Sequence, residues 1–233
     1  MSIKFRNMID RNYQKLGRDL VSWIKTEIKT AGASGAVIGL SGGIDSSLTS
    51  LLCKKAFPDN TLGLIMPCGS NSQDQDDAEI HAEMFDIEYN IIDLNNIYQE
   101  FINTLDEAEE NLNLNKKIQN NTEIDKNLKM ALANAKPRLR MTTLYYYAAL
   151  NNYLVVGTDN RSELKLGYFT KFGDGGIDLA PIGNLVKTEV RSLAEELGID
   201  QSIITKAPSA GLWEDQKDEK ELGISYEEID KTA

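Results

Sequence analysis

Apolar residues along this chain follow two spacings in turn. Ile9, Tyr13, Leu16, Leu20, Ile24 and Ile28 recur every three or four positions, which predicts one buried face of a long first helix, stopped by Gly32. Four short apolar runs then read as strands: Ala36 to Leu40, Leu62 to Met66 closed by Pro67, Ile87 to Ile92, and Tyr153 to Gly157. Helical patterns lie between and after them. They cover Leu48 to Phe57, about Gln73 to Phe85 with Ser72 and Gln75 in capping-box spacing, Asn95 to Leu105, about Arg138 to Asn151, and Lys187 to Leu197 ahead of Gly198. Asp106 to Lys129 is polar and without apolar period, and predicts a surface excursion. Thr158 to Asp178 reads as loop crowded with ionisable side chains, and Pro208 to Gly223 as irregular and acidic.

Strands separated by helices predict an α/β fold, a doubly wound and mostly parallel Rossmann-like sheet with flanking helices. At 233 residues one domain suffices: an N-terminal helix over 1–31, a core over 34–205 and an irregular C-terminal segment over 206–233. Ligands of such sheets bind beyond the carboxyl ends of the strands, where strand order reverses. Two post-strand loops carry glycines together with ionisable residues, those after Leu40 and Val156. If the fourth strand lies beside the first, the two loops meet in one crevice.

A net charge of -11 and a pI near 4.7 exclude a general nucleic-acid or anionic-membrane surface. No segment is long and apolar enough to span a bilayer, and the N-terminus does not read as a signal peptide. Cys53 and Cys68 have no metal-site or redox spacing and fit a reducing, cytoplasmic compartment. The single His81 is read as solvated rather than catalytic.

The first of the two loops carries the clearer chemistry. Gly39, Leu40, Ser41, Gly42, Gly43, Ile44, Asp45 and Ser46 stand at a strand-to-helix turn. Glycines let backbone approach a ligand, and the free amides of the helix start make an anion site suited to phosphate. Asp45 would repel phosphate there unless a divalent cation lay between, which implies Mg²⁺. No lysine follows Gly43 until Lys54, so this is not a Walker A loop.

The Ser-Gly-Gly-x-Asp-Ser stretch resembles the pyrophosphate loop of N-type ATP pyrophosphatases, which fold as adenine nucleotide alpha hydrolase-like domains, cleave ATP between its α and β phosphates and adenylate an oxygen. Two further blocks narrow the resemblance. Gly157-Thr158-Asp159-Asn160-Arg161-Ser162-Glu163 and Gly167 to Asp178, followed by Ala180 to Lys187, Lys206 to Ala210 and Glu221 to Tyr226, are similar to the ammonia-dependent NAD synthetase family. That resemblance implies ATP, deamido-NAD and ammonia as substrates and a homodimer with its sites at the subunit interface. Gly39 to Ser46 would cradle the β and γ phosphates, with Asp45 and Glu163 holding Mg²⁺. Thr158 and Ser209 would serve ATP, Lys187 would neutralise phosphate, and Arg138, Lys171 and Asp178 would contact the dinucleotide. Asp174 falls where the family places an acidic residue near ammonia. Ammonia rather than glutamine is the expected donor, because no amidase domain precedes Gly39. The family pattern continues past the position of Ala233 with a substrate-covering segment, and Ala133 and Pro137 replace its usual residues beside Arg138. Two alternatives stay open: another adenylating enzyme of the loop class, such as a GMP synthetase core or a tRNA-modifying enzyme, and a nucleotide-binding module without catalysis.

Overall fold

The computed structural model describes residues 12–111, 122–208 and 218–231. Helix α1 (Tyr13–Thr30) begins at Asn12, whose side chain accepts from the Lys15 amide, and ends before Gly32 at φ +74°. Ile24 and Ile28 on its inner face are fully buried, as the periodicity requires. Ile9, the first residue of the expected stripe, lies outside the described residues.

Four parallel strands follow: β1 (Gly35–Gly39), β2 (Thr61–Ile65), β3 (Glu88–Ile91) and β4 (Tyr153–Val155), in the order β3-β2-β1-β4. Strand β4 therefore lies beside β1, and strand order reverses between them. Helices α2 (Ile44–Ala56) and α3 (Ser72–Met84) connect the first three strands. A second bridge, Val156 to Leu179, extends the sheet beyond β4. The larger core packs α1, α2 and α7 (Lys187–Glu196) on one sheet face around Ile38, Leu48, Leu52 and Leu193. On the other face Val37, Leu64 and Val155 meet the aromatic residues of α5 (Thr122–Asn151). Burying these apolar side chains at roughly 1.5–3 kcal/mol each is what holds the layers together.

Several expectations change. Helix α4 (Asn95–Asn111) and α5 both extend into the segment read as a surface excursion, of which 112–121 lies outside the described residues. Helix α5 does not start at Arg138 but passes through Pro137. That proline is buried, and its ring lies against the Gly173 backbone, where a Cβ would come within 2.9 Å of it. The N-cap of α3 is Asn71, accepting from the Gln73 amide at 3.1 Å, not Ser72. His81 is not solvated: it is 1% exposed, bonded through Nε2 to Ser50 Oγ at 3.0 Å. The segment expected to be irregular carries α9 (Asp218–Leu222), and α10 (Tyr226–Asp230) follows, anchored by the fully buried Tyr226. Short helices α6 (Arg161–Leu166) and α8 (Gln201–Thr205) complete the fold. Among the described residues no helix is long and apolar enough to cross a membrane.

Candidate active site

The glycine loop is shaped by its own serines. Ser46 Oγ donates to the Gly43 carbonyl at 2.9 Å and accepts from the Ser41 amide at 3.2 Å, while Ser41 Oγ lies 3.0 Å from Ser46 Oγ. Gly42 sits at φ +72°, and a Cβ there would meet the Asp74 carbonyl at 2.2 Å, so both the turn and the packing of α3 demand glycine. Gly43 caps α2 without a side-chain bond. The first-turn amides of α2 thus face whatever enters the loop.

Asp45, in that first turn, meets Glu163 from the post-β4 loop on a single cation. Lys187 Nζ donates to Asp45 Oδ2 and lies 3.3 Å from Glu163 Oε1. A capping box starts α6: Asn160 Oδ1 accepts from the Glu163 amide at 3.1 Å, and Glu163 Oε2 accepts from the Asn160 amide at 3.0 Å. That bond holds Oε2 and turns Oε1 toward Lys187. The same Asn160 donates from Nδ2 to Asp45 Oδ1 at 3.0 Å, so one amide side chain aims both carboxylates. Tyr226 donates to Asp218 Oδ2 at 3.1 Å and lies 3.4 Å from Glu163 Oε1. Ser162 Oγ donates to Asp230 Oδ1 at 2.5 Å and accepts from the Lys187 amide at 3.2 Å, tying α10 to α6 and α7.

Electrostatics follow from burial. Burial alone would lower the Lys187 pKa, but the charges of Asp45 and Glu163 outweigh it and hold the ammonium above its usual range. Burial and the Asp45 charge push Glu163 up to about 8, against the pull of Lys187.

Asp45, Glu163, Lys187 and Asp218 line a cleft of about 530 Å³, a size suited to a nucleotide. Thr158 and Asp174 of the expected residues line it as well, with Gly39 to Ser41, Gly43 to Ser46 and Lys187. Lys187, expected on phosphate, is instead engaged with the two carboxylates. Asp174 Oδ1 accepts from the Thr170 amide at 3.0 Å, and burial of the surrounding wall raises its pKa. Arg138 and Lys171 stand together outside the cleft lining, the guanidinium donating to the Lys171 carbonyl at 3.3 Å. Asp178 has both oxygens engaged, by the Tyr145 hydroxyl at 3.0 Å and the Val155 amide at 2.8 Å. Ser209 lies outside the described residues.

Sequence reasoning gave no role to Asn160, Asp159 or Tyr226. Asn160 had a legible signal, since Asn-x-x-Glu is capping-box spacing. Arg140 donates to the Met66 carbonyl at 3.1 Å and Ser70 Oγ at 3.0 Å in the cleft wall.

A parallel sheet with a phosphate-type loop at the β1/β4 switch and a paired-carboxylate site beside it defines a nucleotide-binding α/β protein of the adenine nucleotide alpha hydrolase type. The NAD synthase family model matches residues 16–232, and the chain belongs to that family. It is 50% identical over 219 residues to the NH(3)-dependent NAD(+) synthetase of Carboxydothermus hydrogenoformans, covering 94% of this chain and 84% of that protein. With the enzyme of the same name from Finegoldia magna it shares 49% identity over 94% of this chain and 83% of the relative. Among solved structures, the NMN synthetase from Francisella tularensis superposes with a TM-score of 0.83 at 38% identity, over 96% of this chain and 86% of the other. The NH3-dependent NAD synthetase from Campylobacter jejuni gives 0.69 at 37%, over 83% and 77%.

Proposed function

We propose that this chain is an ammonia-dependent NAD synthetase, a ligase that uses ATP to amidate deamido-NAD, giving NAD, AMP and pyrophosphate. The observation that carries this reading is the convergence of Asp45 and Glu163, from two loops far apart in sequence, on one cation beside the glycine loop. In a family member this arrangement suits adenylation of a carboxylate.

The chemistry has two stages. A carboxylate is a poor electrophile, so one of its oxygens attacks the α-phosphorus of ATP; the bond to the β-phosphate oxygen breaks and pyrophosphate leaves with the electron pair. Ammonia then adds to the carbonyl carbon of the mixed anhydride, loses a proton, and expels AMP. The protein's part is positioning and charge neutralisation. The serine-braced loop and the amides of α2 hold the β and γ phosphates. Lys187 supplies a fixed positive charge in the same cleft, and Thr158 serves the nucleotide from the opposite loop. Arg138 and Lys171, outside the cleft lining, and Asp178, held by Tyr145 and the Val155 amide, are assigned to the dinucleotide acid, and Ser209 to ATP.

Two carboxylates that already converge on a cation fit Mg²⁺, an ion held by one or two carboxylates plus substrate phosphates. Asp45 and Glu163 would hold it, and when bound it neutralises the leaving pyrophosphate. We also read the chain as one domain, its core over 34–205, working as a homodimer.

The test is to incubate the protein with ATP, Mg²⁺, ammonium and nicotinate adenine dinucleotide and to follow NAD and pyrophosphate. Equal amounts of both are expected, and pyrophosphate without any NAD would overturn the reading. The likeness to a protein named NMN synthetase makes nicotinate mononucleotide the second substrate to assay. A larger kcat/KM for the mononucleotide would move the assignment to that acid.

A further inference from the structure

Lys187 has a partner that the reaction as described does not use. Its side chain is buried, with Asp45 and Glu163 facing the ammonium on one side. On another side lies the ring of Tyr226 from α10, its centroid 5.1 Å from Nζ. At that distance the negative face of an aromatic ring attracts an ammonium, most strongly where water is excluded. Tyr226 is itself fully buried.

The ring is kept in place because one face of α10 is pinned at both ends. Tyr226 and Asp230 stand four apart on that helix and so share a face. The Tyr226 hydroxyl donates to Asp218 Oδ2 at 3.1 Å. Asp230 accepts from Ser162 Oγ at one oxygen and from the Thr188 amide, at 2.9 Å, at the other. Val186 caps α7 without a side-chain bond, so Ser162 and Asp230 supply the acceptors that the amides of Lys187 and Thr188 need. The same face of α10 thus fixes both the backbone and the side chain of Lys187.

An aromatic partner suits a site that must accept a triphosphate. Asp45 and Glu163 are also the groups that would hold the metal ion, and a carboxylate shared with a second cation holds the first less firmly. Another carboxylate against Nζ would restore that hold but repel phosphate. A ring attracts the ammonium with no net charge and gives up nothing to a metal ion. The bond to Asp218 adds to this, since a phenol that donates to a carboxylate feeds electron density into its ring.

We propose that Tyr226 is a positioning residue for Lys187, its ring keeping the ammonium beside the glycine loop when Asp45 and Glu163 are shared with another cation. The lysine charge then stays available to the leaving pyrophosphate. This rests on the amidation reading above and adds a residue to it.

Fluorinated phenylalanines placed at position 226 test it, because each fluorine draws charge from the ring face at nearly constant shape, and a ring that merely fills space is indifferent to them. Starting from Tyr226→Phe, kcat for NAD formation is expected to fall stepwise through the mono-, di- and trifluoro rings, about tenfold in all. The KM for ATP should change less, and the urea midpoint should stay level. A flat series, or a fall in kcat that only follows a fall in stability, would overturn the proposal. A second readout needs no substrate. In the ligand-free protein the Lys187 ammonium is expected to give a ¹H–¹⁵N signal moved upfield by the ring, which Tyr226→Phe keeps and Tyr226→Leu returns toward the other lysines. Absence of that upfield shift in the parent protein would equally overturn it. Failure of the parent to form NAD would instead remove the amidation reading, and the ammonium signal would still decide whether Tyr226 holds Lys187.

Discussion

Asn160 is the smallest part on which the site depends, because its amide aims Asp45 directly and Glu163 through the capping box. Asn160→Ala is expected to lower kcat about 10- to 100-fold, the usual effect of removing a group that orients metal-binding side chains, with a smaller effect on KM for ATP. Asp45→Asn and Glu163→Gln are expected to abolish NAD formation, and near-normal rates in either would refute the shared-cation site. At this scale the sequence is informative where a residue's chemistry is local. The glycine loop and the capping-box spacing of Asn160 and Glu163 are written in consecutive residues. The joining of Asp45 to Asn160 and Lys187 depends on contacts across more than a hundred positions, which spacing does not encode.

Between elements, the α2–α3 contact carries a titratable group where polar pattern suggested a solvated one. Burial depresses the His81 pKa from 6.5 to about 4, because the protonated ring would lose its hydration there. An unfolded chain therefore binds more protons than the folded one between those values. Stability is full above pH 6.5, falls as pH drops toward 4, and levels off below it for this group, a loss on the order of 3 kcal/mol. His81→Gln, which keeps a polar partner for Ser50 and cannot titrate, is expected to flatten that stretch of the pH profile measured by urea unfolding. An unchanged slope would contradict it. Helix and strand positions were otherwise legible wherever an apolar period and a stop coincided, as in α1 with Gly32 and in all four strands. The start of helix α5 was missed because Asp106 to Lys129 shows no apolar period, and the 30-residue helix carries Pro137 inside it, its ring against Gly173.

For the molecule as a whole, α4 presents Ile97, Phe101 and Leu105 to solvent at four-residue spacing, and α5 presents Tyr146 and Leu150. An apolar stripe of this kind marks an interaction surface, and the homodimer proposed above would set a second copy of the chain against it. Phe101→Glu combined with Tyr146→Glu is expected to shift the sedimentation coefficient from dimer to monomer and to reduce activity, and a dimer that persists would put the interface elsewhere. If this enzyme adenylates a carboxylate, one carboxylate oxygen must end in AMP. Deamido-NAD labelled with ¹⁸O in its nicotinate carboxylate is incubated with ATP, Mg²⁺ and ammonium, and the products are weighed by mass spectrometry. Attack on the α-phosphorus predicts one ¹⁸O in AMP and none in pyrophosphate; label in inorganic phosphate with ADP formed, or AMP without label, would contradict the account.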